Sequence, residues 1–463
     1  MRKAAVPLTL ILVLLAASSL ISDRPVSGAT ATENTWETLA PLPESSEGNR
    51  AAAANGKIYV ISDSGNFEYD PKTDKWSAIP PLPTPRAFSA IAVVQNKVYT
   101  IGGSLGNEYT NANEVYDPST NNWKSLSPIP ASISGFDANV ANGKIYVIGG
   151  ATYQNPLLSI NLVYDIANDA WTNKTTMPYP VTFYASCVVD NKIYIMGGLG
   201  YLPNRGGVLR GNYTQIYDPE TDSWSLGTPI PTPVYSAAAG ATIGVMAPKR
   251  IYVIGGTTGE GGMFAGGTDF TQVYDMNNNT WALGEPMPSS RFGLTVAVLN
   301  DQIYAIGGNN QMAFAPPPFK LNQRYTPFSY GTRDPTYDDK SPEITLESPK
   351  NETYYGTSIP LQFSSSEHIP WAGYKLDNEN VTDISGNTNI SGLAVGSHTL
   401  TVYVVDVAGN NGASETVTFK VAGPFPVVPI AAAAVVIAVA VAAAGLLLYF
   451  RRRKRQVRAV EVG

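Results

Sequence analysis

Asn142–Trp171, NGKIYVIGGATYQNPLLSINLVYDIANDAW, is the stretch whose reading decides most of the architecture. Asn142-Gly143 is a tight-turn dipeptide that opens an apolar strand, IYVI, and Gly149-Gly150 closes it. A polar loop follows, then a strand ending VYD, a second turn, and an outer strand around Trp171. The IYVI strand is apolar at successive positions, so it needs cover on both faces rather than on one.

The same order recurs along the chain. Strands KIYVIS (57–62), KVYTIGG (97–103), KIYVIGG (144–150), KIYIMGG (192–198), RIYVIGG (250–256) and QIYAIGG (302–308) place tyrosines at 59, 99, 146, 194, 252 and 304. The spacing of 40 to 58 residues is that of a repeat architecture with loop insertions. Radially arranged sheets, each packed between two neighbours, satisfy the two-sided pattern. A glycine pair at the strand end fits a place where a side chain would obstruct a neighbouring backbone. The following segments FEYDPKTDKW, EVYDPSTNNW, LVYDIANDAW, QIYDPETDSW and QVYDMNNNTW give a turn and an outer strand carrying Trp76, Trp123, Trp171, Trp224 and Trp281. Proline-rich connectors (80–85, 128–130, 229–233) lead to the next unit and lack donors for further pairing.

These units resemble kelch repeats over residues 36–326, with the Gly-Gly, Tyr-Asp and Trp marks in that family's order. The resemblance implies an all-β chain with a six-bladed kelch-type β-propeller at 30–326. Blade one departs from the pattern, with Ser62-Asp63-Ser64 in place of Gly-Gly. Blade six ends QRYTP, with Thr326 for the usual aspartate and no tryptophan after it. Trp36, in WETLAPLP, reads as the missing outer strand, so the N-terminus is expected to close blade six and remove two open sheet edges.

Residues 327–341 read as a linker. Residues 342–422 alternate apolar and polar positions and resemble an immunoglobulin-like β-sandwich of the kind found on microbial surface proteins, without paired cysteines. In Asp406-Val407-Ala408-Gly409-Asn410 a hairpin turn is favoured over a calcium loop. The ends set the expected address. Residues 1–29 carry Arg2-Lys3, an apolar core and small residues at Ser27 and Ala29, as a secretory signal does. Residues 427–450 contain no charge and suffice for a single transmembrane helix, and the basic tail 451–463 places itself in the cytoplasm. The expected product is a single-pass type I cell-membrane protein with its N-terminal domains extracellular.

The chain has 463 residues, 44% of them hydrophobic, with 42 glycines and 35 prolines, a balance suited to a turn-rich β protein. Without the two end segments, 22 basic residues face 35 acidic ones, which argues against a nucleic-acid partner. The single cysteine, Cys187, sits in the apolar run ASCVV and reads as a core residue. Sequons at Asn173, Asn212, Asn278, Asn351, Asn380 and Asn389 are possible N-glycosylation sites.

Function is expected in the loops after the second strand of each blade, at 104–113, 151–161, 199–213, 257–271 and 309–322. They carry Tyr109, Tyr153, Tyr201, Arg205, Arg210, Phe264, Asp269, Phe270 and Phe314, aromatic and guanidinium groups suited to an extracellular protein or a glycan. Arg86 and Arg291, at equivalent positions before innermost strands, are candidates for the central channel. No cofactor, metal or catalytic residue is assigned. Kelch-type copper oxidases need histidine ligands, and the only histidines, His368 and His398, lie outside the propeller. The aspartate-box turns of sialidases are absent. A mutarotase-like carbohydrate enzyme using Glu108, Glu114, Glu260 or Asp269 stays open as an alternative, as does a structural envelope protein.

Overall fold

The computed structural model describes residues 32–44, 48–106, 108–201, 208–259, 266–310, 319–367, 369, 371–384, 386–406, 410–423, 439–449 and 451. In the opening stretch, strands Asp137–Ala141, Lys144–Ile148, Asn161–Asp165 and Ala170–Asn173 form one antiparallel sheet in chain order. Asn142 and Gly143 both take positive φ (51° and 67°), the requirement of the two-residue hairpin turn. The equivalent turn of the preceding sheet is Gln95-Asn96, both again with positive φ (51° and 60°).

Among the described residues, five more four-stranded sheets share this plan. Their innermost strands, Arg50–Ala54, Ala90–Val94, Asp137–Ala141, Ala185–Val189, Ala238–Ala241 and Thr295–Leu299, each touch the next, and the last touches the first. The two-sided strands now have their explanation. Ile145 and Val147 pack with Ala92, Tyr99 and Ile101 of the preceding sheet, while Tyr146 and Ile148 pack with Ile193, Ile195 and Tyr217 of the following one. Similar apolar clusters fill each of the other sheet-to-sheet interfaces. The glycine pair is steric as expected: a Cβ on Gly149 would stand 2.7 Å from the Val181 carbonyl oxygen, and one on Gly150 3.0 Å from that of Ser134.

Each outer tryptophan is a peg into the sheet before it. Trp171 Nε1 donates to the Ser127 carbonyl at 3.0 Å, and Trp76, Trp123, Trp224 and Trp281 donate to Ala40, Pro80, Thr175 and Thr228. The preceding tyrosine lies against the indole and donates its hydroxyl to the positive-φ residue of the turn, as Tyr116 does to Asn121 at 2.7 Å. The N-terminus supplies the same parts to the sixth sheet. Thr35–Thr38 pairs antiparallel with Asn322–Thr326, Trp36 lies 5.1 Å from Tyr325 and donates to Glu285 O, and Tyr325 donates to Asn34 at 2.7 Å. Thus strand order 35–38, 322–326, 302–306, 295–299 joins the two ends of the ring.

Residues 344–422 form a separate β unit. One sheet holds Ile344–Ser348, Ser358–Ser365 and Thr388–Ser391; the other centres on Gly396–Val405 between Trp371–Leu376 and Val417–Ala422. Ile359, Leu361, Leu400, Val402 and Phe419 share its core. In it, His398 is buried between Ala394 O (2.9 Å) and Asp377 (2.8 Å), and both contacts, the carbonyl first, raise its pKa. A raised folded-state pKa stabilises most below the unfolded value of about 6.5, and this contribution is lost as pH rises through the folded value. The melting temperature of this unit is therefore expected to fall on going from about pH 6 to pH 8, with a flatter profile in His398→Gln; calorimetry across that range checks it.

Among the described residues no helix is long and apolar enough to cross a membrane. Residues 439–449, inside the expected span, are helical, with Val441, Leu447 and Tyr449 exposed. The rest of that span and the signal at 1–29 lie outside the described residues.

Candidate functional site

The two faces of the ring differ in construction. One carries the two-residue hairpin turns; the other carries the loops that follow each Gly-Gly pair. These loops carry added pairing. Ser104–Leu105 pairs with Glu108–Tyr109; Leu199–Tyr201 pairs with both Val208–Arg210 and Val181–Thr182; and Thr268 and Asn309 bridge to the connector at Arg291-Phe292.

The sequence candidates distribute unevenly over this face. Tyr153 is 83% exposed at a loop tip. Tyr109, Arg210 and Asp269 are half-buried. Phe270 packs against the core between the fourth and fifth sheets and so helps anchor its loop. Tyr201 lies in a short strand, and Arg205, Phe264, Phe314 and Glu260 lie outside the described residues. A further aromatic pair escaped the sequence reading: Tyr213, at the end of one loop, stacks on Tyr179 of the connector at 4.1 Å and 11°. All six sequon asparagines are exposed.

Arg86 and Arg291 do not face the central channel. Both are fully buried within the connector–sheet junction. Arg86 donates through Nε to Gly102 O (2.7 Å), through Nη2 to Thr100 O (2.8 Å), and through Nη1 to Thr84 O and the Glu114 carboxylate. Arg291 repeats the plan, with Gly307 O at 3.0 Å and Gln323 Oε1 at 2.6 Å. Desolvation pulls the Arg86 pKa down against the opposing pull of Glu114, and it takes Arg291 down to about 10. These arginines tie connector to sheet because a guanidinium satisfies several inward carbonyls at once. Glu114 is thereby committed to a buried ion pair, which removes it from the candidate acids and bases. Glu108 is exposed in the short strand Glu108–Tyr109.

The channel itself is a cavity of about 550 Å³ lined by residues of all six innermost strands, a size that accommodates small ligands. At its loop-face end, Arg50 Nε stands 4.0 Å from Asp137 Oδ1. These residues belong to the first and third sheets, and the equivalent position in the sheet between them is Ala90. Ser186 Oγ donates to Asp137 at 3.1 Å, and Asn139 Nδ2 donates to Ser186 at 3.0 Å. Desolvation pushes the Asp137 carboxyl up, opposed by Arg50 and by Ser186.

The mouth is ringed by six equivalent residues two places before the innermost strands, all with positive φ: Gly48, Phe88, Gly135, Phe183, Ser236 and Gly293. Phenylalanine is rare in that conformation. The rings explain it, since Phe88 packs over Gly48 and Phe183 over Gly135, where any Cβ would lie in contact. Neighbours are also linked by backbone bonds, as Phe88 N to Gly48 O (3.1 Å) and Ser236 N to Phe183 O (2.8 Å). The signal in the sequence is faint: glycine appears at only three of the six aligned positions.

Outside the ring, the one group of three acidic side chains among the described residues whose carboxylate oxygens fall within 4.8 Å of one another is Asp338, Glu367 and Asp406. Desolvation and the two aspartates push the Glu367 carboxyl up. Asp406 accepts the backbone N–H of Asn410 at 2.8 Å, and residues 407–409 between them lie outside the described residues. Cys187 is buried, and its thiol pKa is raised by that burial.

With this geometry described, the relatives fall into place. Residues 90–308 match the family described as the KLHDC2/KLHL20/DRC7 Kelch-repeats domain. Kelch-like protein 35 of Mus musculus is 34% identical over 102 residues, 22% of this chain and 16% of that protein. Halomucin of Haloquadratum walsbyi is 37% identical over 93 residues, 18% of this chain and 1% of that protein. The chain thus spans a small fraction of either relative. The solved structure of YjhT superposes with a TM-score of 0.53 at 19% identity, covering 61% of this chain and 95% of that one, a likeness of fold. The ring of sheets is thus an all-β fold of the kelch type, with the family match covering residues 90–308 of it.

Proposed function

We propose that this chain is a recognition protein, a six-bladed kelch propeller that binds a protein or glycan partner through its loop face. The observation that carries the reading is the contrast between the faces: on one, five of the six first hairpins are two-residue turns, with 242–250 the exception, and the outer turns have four residues, while the other bears the long loops, with the exposed Tyr153 at a tip. A kelch propeller supports a protein-binding role in particular. The β unit at 342–422 serves in this reading as an immunoglobulin-like spacer, and the segments 1–29, 427–450 and 451–463 as signal, single-pass anchor and cytoplasmic tail. The partner is then extracellular.

A glycan array and a protein array probed with the intact chain test the reading. Tyr153→Ala and Tyr109→Ala together are expected to lower binding at least tenfold, while Tyr153→Ala alone shifts stability by less than about 0.5 kcal/mol, as an exposed site should. Unchanged binding to a defined partner would remove this face from the account. The mutarotase-like alternative has lost Glu114 to the ion pair with Arg86, and no observation favours it over binding.

A further inference from the structure

We propose that the turn face of the ring is the seat of the chain's own C-terminal β unit, residues 344–422, which bridges that face from the fifth sheet to the second and leaves the loop face open. This holds whatever the loops bind. It starts from two departures from the repeat on the turn face. Four of the five two-residue turns begin with Asn or Asp, at Asn55, Asn142, Asp190 and Asn300, with φ between 46° and 52°. After glycine, those residue types tolerate the left-handed region best. The second sheet has Gln95 there, at φ 51°, a poorer choice for the backbone with a longer reach. The fifth sheet departs further, with residues 242–250 in place of a two-residue turn.

The C-terminal segment meets the ring at both departures. Asp301, in the turn of the sixth sheet, accepts the backbone N–H groups of Ile243 (2.6 Å) and Met246 (2.7 Å), which folds 242–250 into a ledge. Residues 331–334 lie along it: Gly331 N donates to Met246 O at 2.6 Å, Asp334 N to Gly244 O at 2.9 Å, and Lys249 N to Asp334 Oδ2 at 2.8 Å. The stretch expected to be a linker is therefore held to the ring by its own backbone, with Asp334 only 3% exposed. Asp338 passes the hold on, its carbonyl accepting from Asn410 Nδ2 of the β unit at 2.8 Å. At the other departure, the Gln95 carboxamide, oriented with its nitrogen toward the carboxylate, donates to Asp383 Oδ2 at 3.1 Å and accepts from Trp371 Nε1 at 3.0 Å. Trp371 and Asp383 lie on the paired strands Trp371–Leu376 and Thr382–Ile384, so one sheet presents both. In a ring of six, the second and fifth sheets stand opposite each other. A body held at both crosses the ring axis and stands over the turn-face end of the channel. The Tyr99 hydroxyl of the second sheet registers the same approach, pushed up to about 12 by burial first and by the Asp383 charge second.

Cysteine pairs in the intact chain test the proposal. Gln95→Cys with Asp383→Cys is compared with Asp190→Cys with Asp383→Cys, each treated with a short bismaleimide and read by peptide mass spectrometry. Cys187 is buried and stays out of the reaction. Asp190 begins the turn of the fourth sheet, beside the ledge, so a β unit swinging on a free tether would meet it at least as often as Gln95. The seated unit should cross-link through Gln95 roughly tenfold faster than through Asp190, because the contact fixes its effective concentration there. Amide exchange of the unaltered chain is the second measurement, and it needs no variant to fold. The N–H groups of Lys249, Gly331 and Asp334 should exchange roughly a hundredfold more slowly than in an unstructured peptide. Equal cross-linking of the two pairs, faster reaction through Asp190, or unprotected amides at Gly331 and Asp334 overturns the proposal.

Discussion

Deleting residues 30–43 is expected to lower the cooperative melting temperature of the propeller by roughly 10 °C or more. The deletion removes the Thr35–Thr38 strand, whose four residues pair along Gln323–Thr326. It also removes the Leu39 and Leu42 backbone bonds to Asn322 and Lys320, and Leu42, which is 1% exposed between the last sheet and the first. Losing a buried leucine alone costs about 2–5 kcal/mol, and each lost backbone hydrogen bond adds about 1 kcal/mol. For a domain of this size each kcal/mol corresponds to about 2–4 °C. The deletion further exposes Tyr325 and the edge of Asn322–Thr326, so aggregation on heating should increase. Calorimetry of the truncated and intact chains decides it; an unchanged transition would mean that the ring does not depend on its N-terminal strand.

The second large effect is expected at Glu114. Glu114→Leu leaves the fully buried Arg86 guanidinium without its carboxylate, a loss of about 3–5 kcal/mol, or roughly 6–20 °C in melting temperature. Glu114→Gln reproduces the neutral partner that Arg291 has in Gln323 and should cost no more than about half as much. Replacing both members, Arg86→Met with Glu114→Leu, should recover most of the stability, since packed apolar groups commonly replace buried ion pairs without loss. Urea unfolding of the three variants separates these cases. Equal loss in the single and double variants would show that Arg86 acts through its backbone contacts to Gly102 and Thr100 rather than through the charge pair.

Some parts of this molecule are written in its residue order, and others arise only from the way the sheets close. The Ile-Tyr strands were legible because two-sided apolar patterning has few architectural solutions, and Ile145 and Tyr146 do point to opposite neighbours. Trp36 was legible because the sixth unit lacked the indole that every other unit possesses. Arg86 and Arg291 were misplaced for a geometric reason. Their position near the innermost strands is evident, but the direction of the side chain depends on which carbonyls the Gly-Gly turn leaves facing inward. The Arg50–Asp137 pair was invisible because it joins sheets that are not neighbours and depends on the small Ala90 between them. The mouth was hidden by its residue types, as phenylalanine rarely marks a positive-φ position.

The measurement closest to the central claim compares the two faces on the same scaffold. One variant replaces loop 151–157, including Tyr153, with a glycine-serine segment; the other replaces the opposite-face turn residues Gln95-Asn96 with Asn-Gly, which suits the same backbone. Both are assayed with the intact chain on the same glycan and protein arrays after their melting curves are matched. The account predicts that binding is lost or falls at least tenfold in the loop variant and persists in the turn variant. Binding that survives the loop replacement, or that disappears only with the turn, would contradict it.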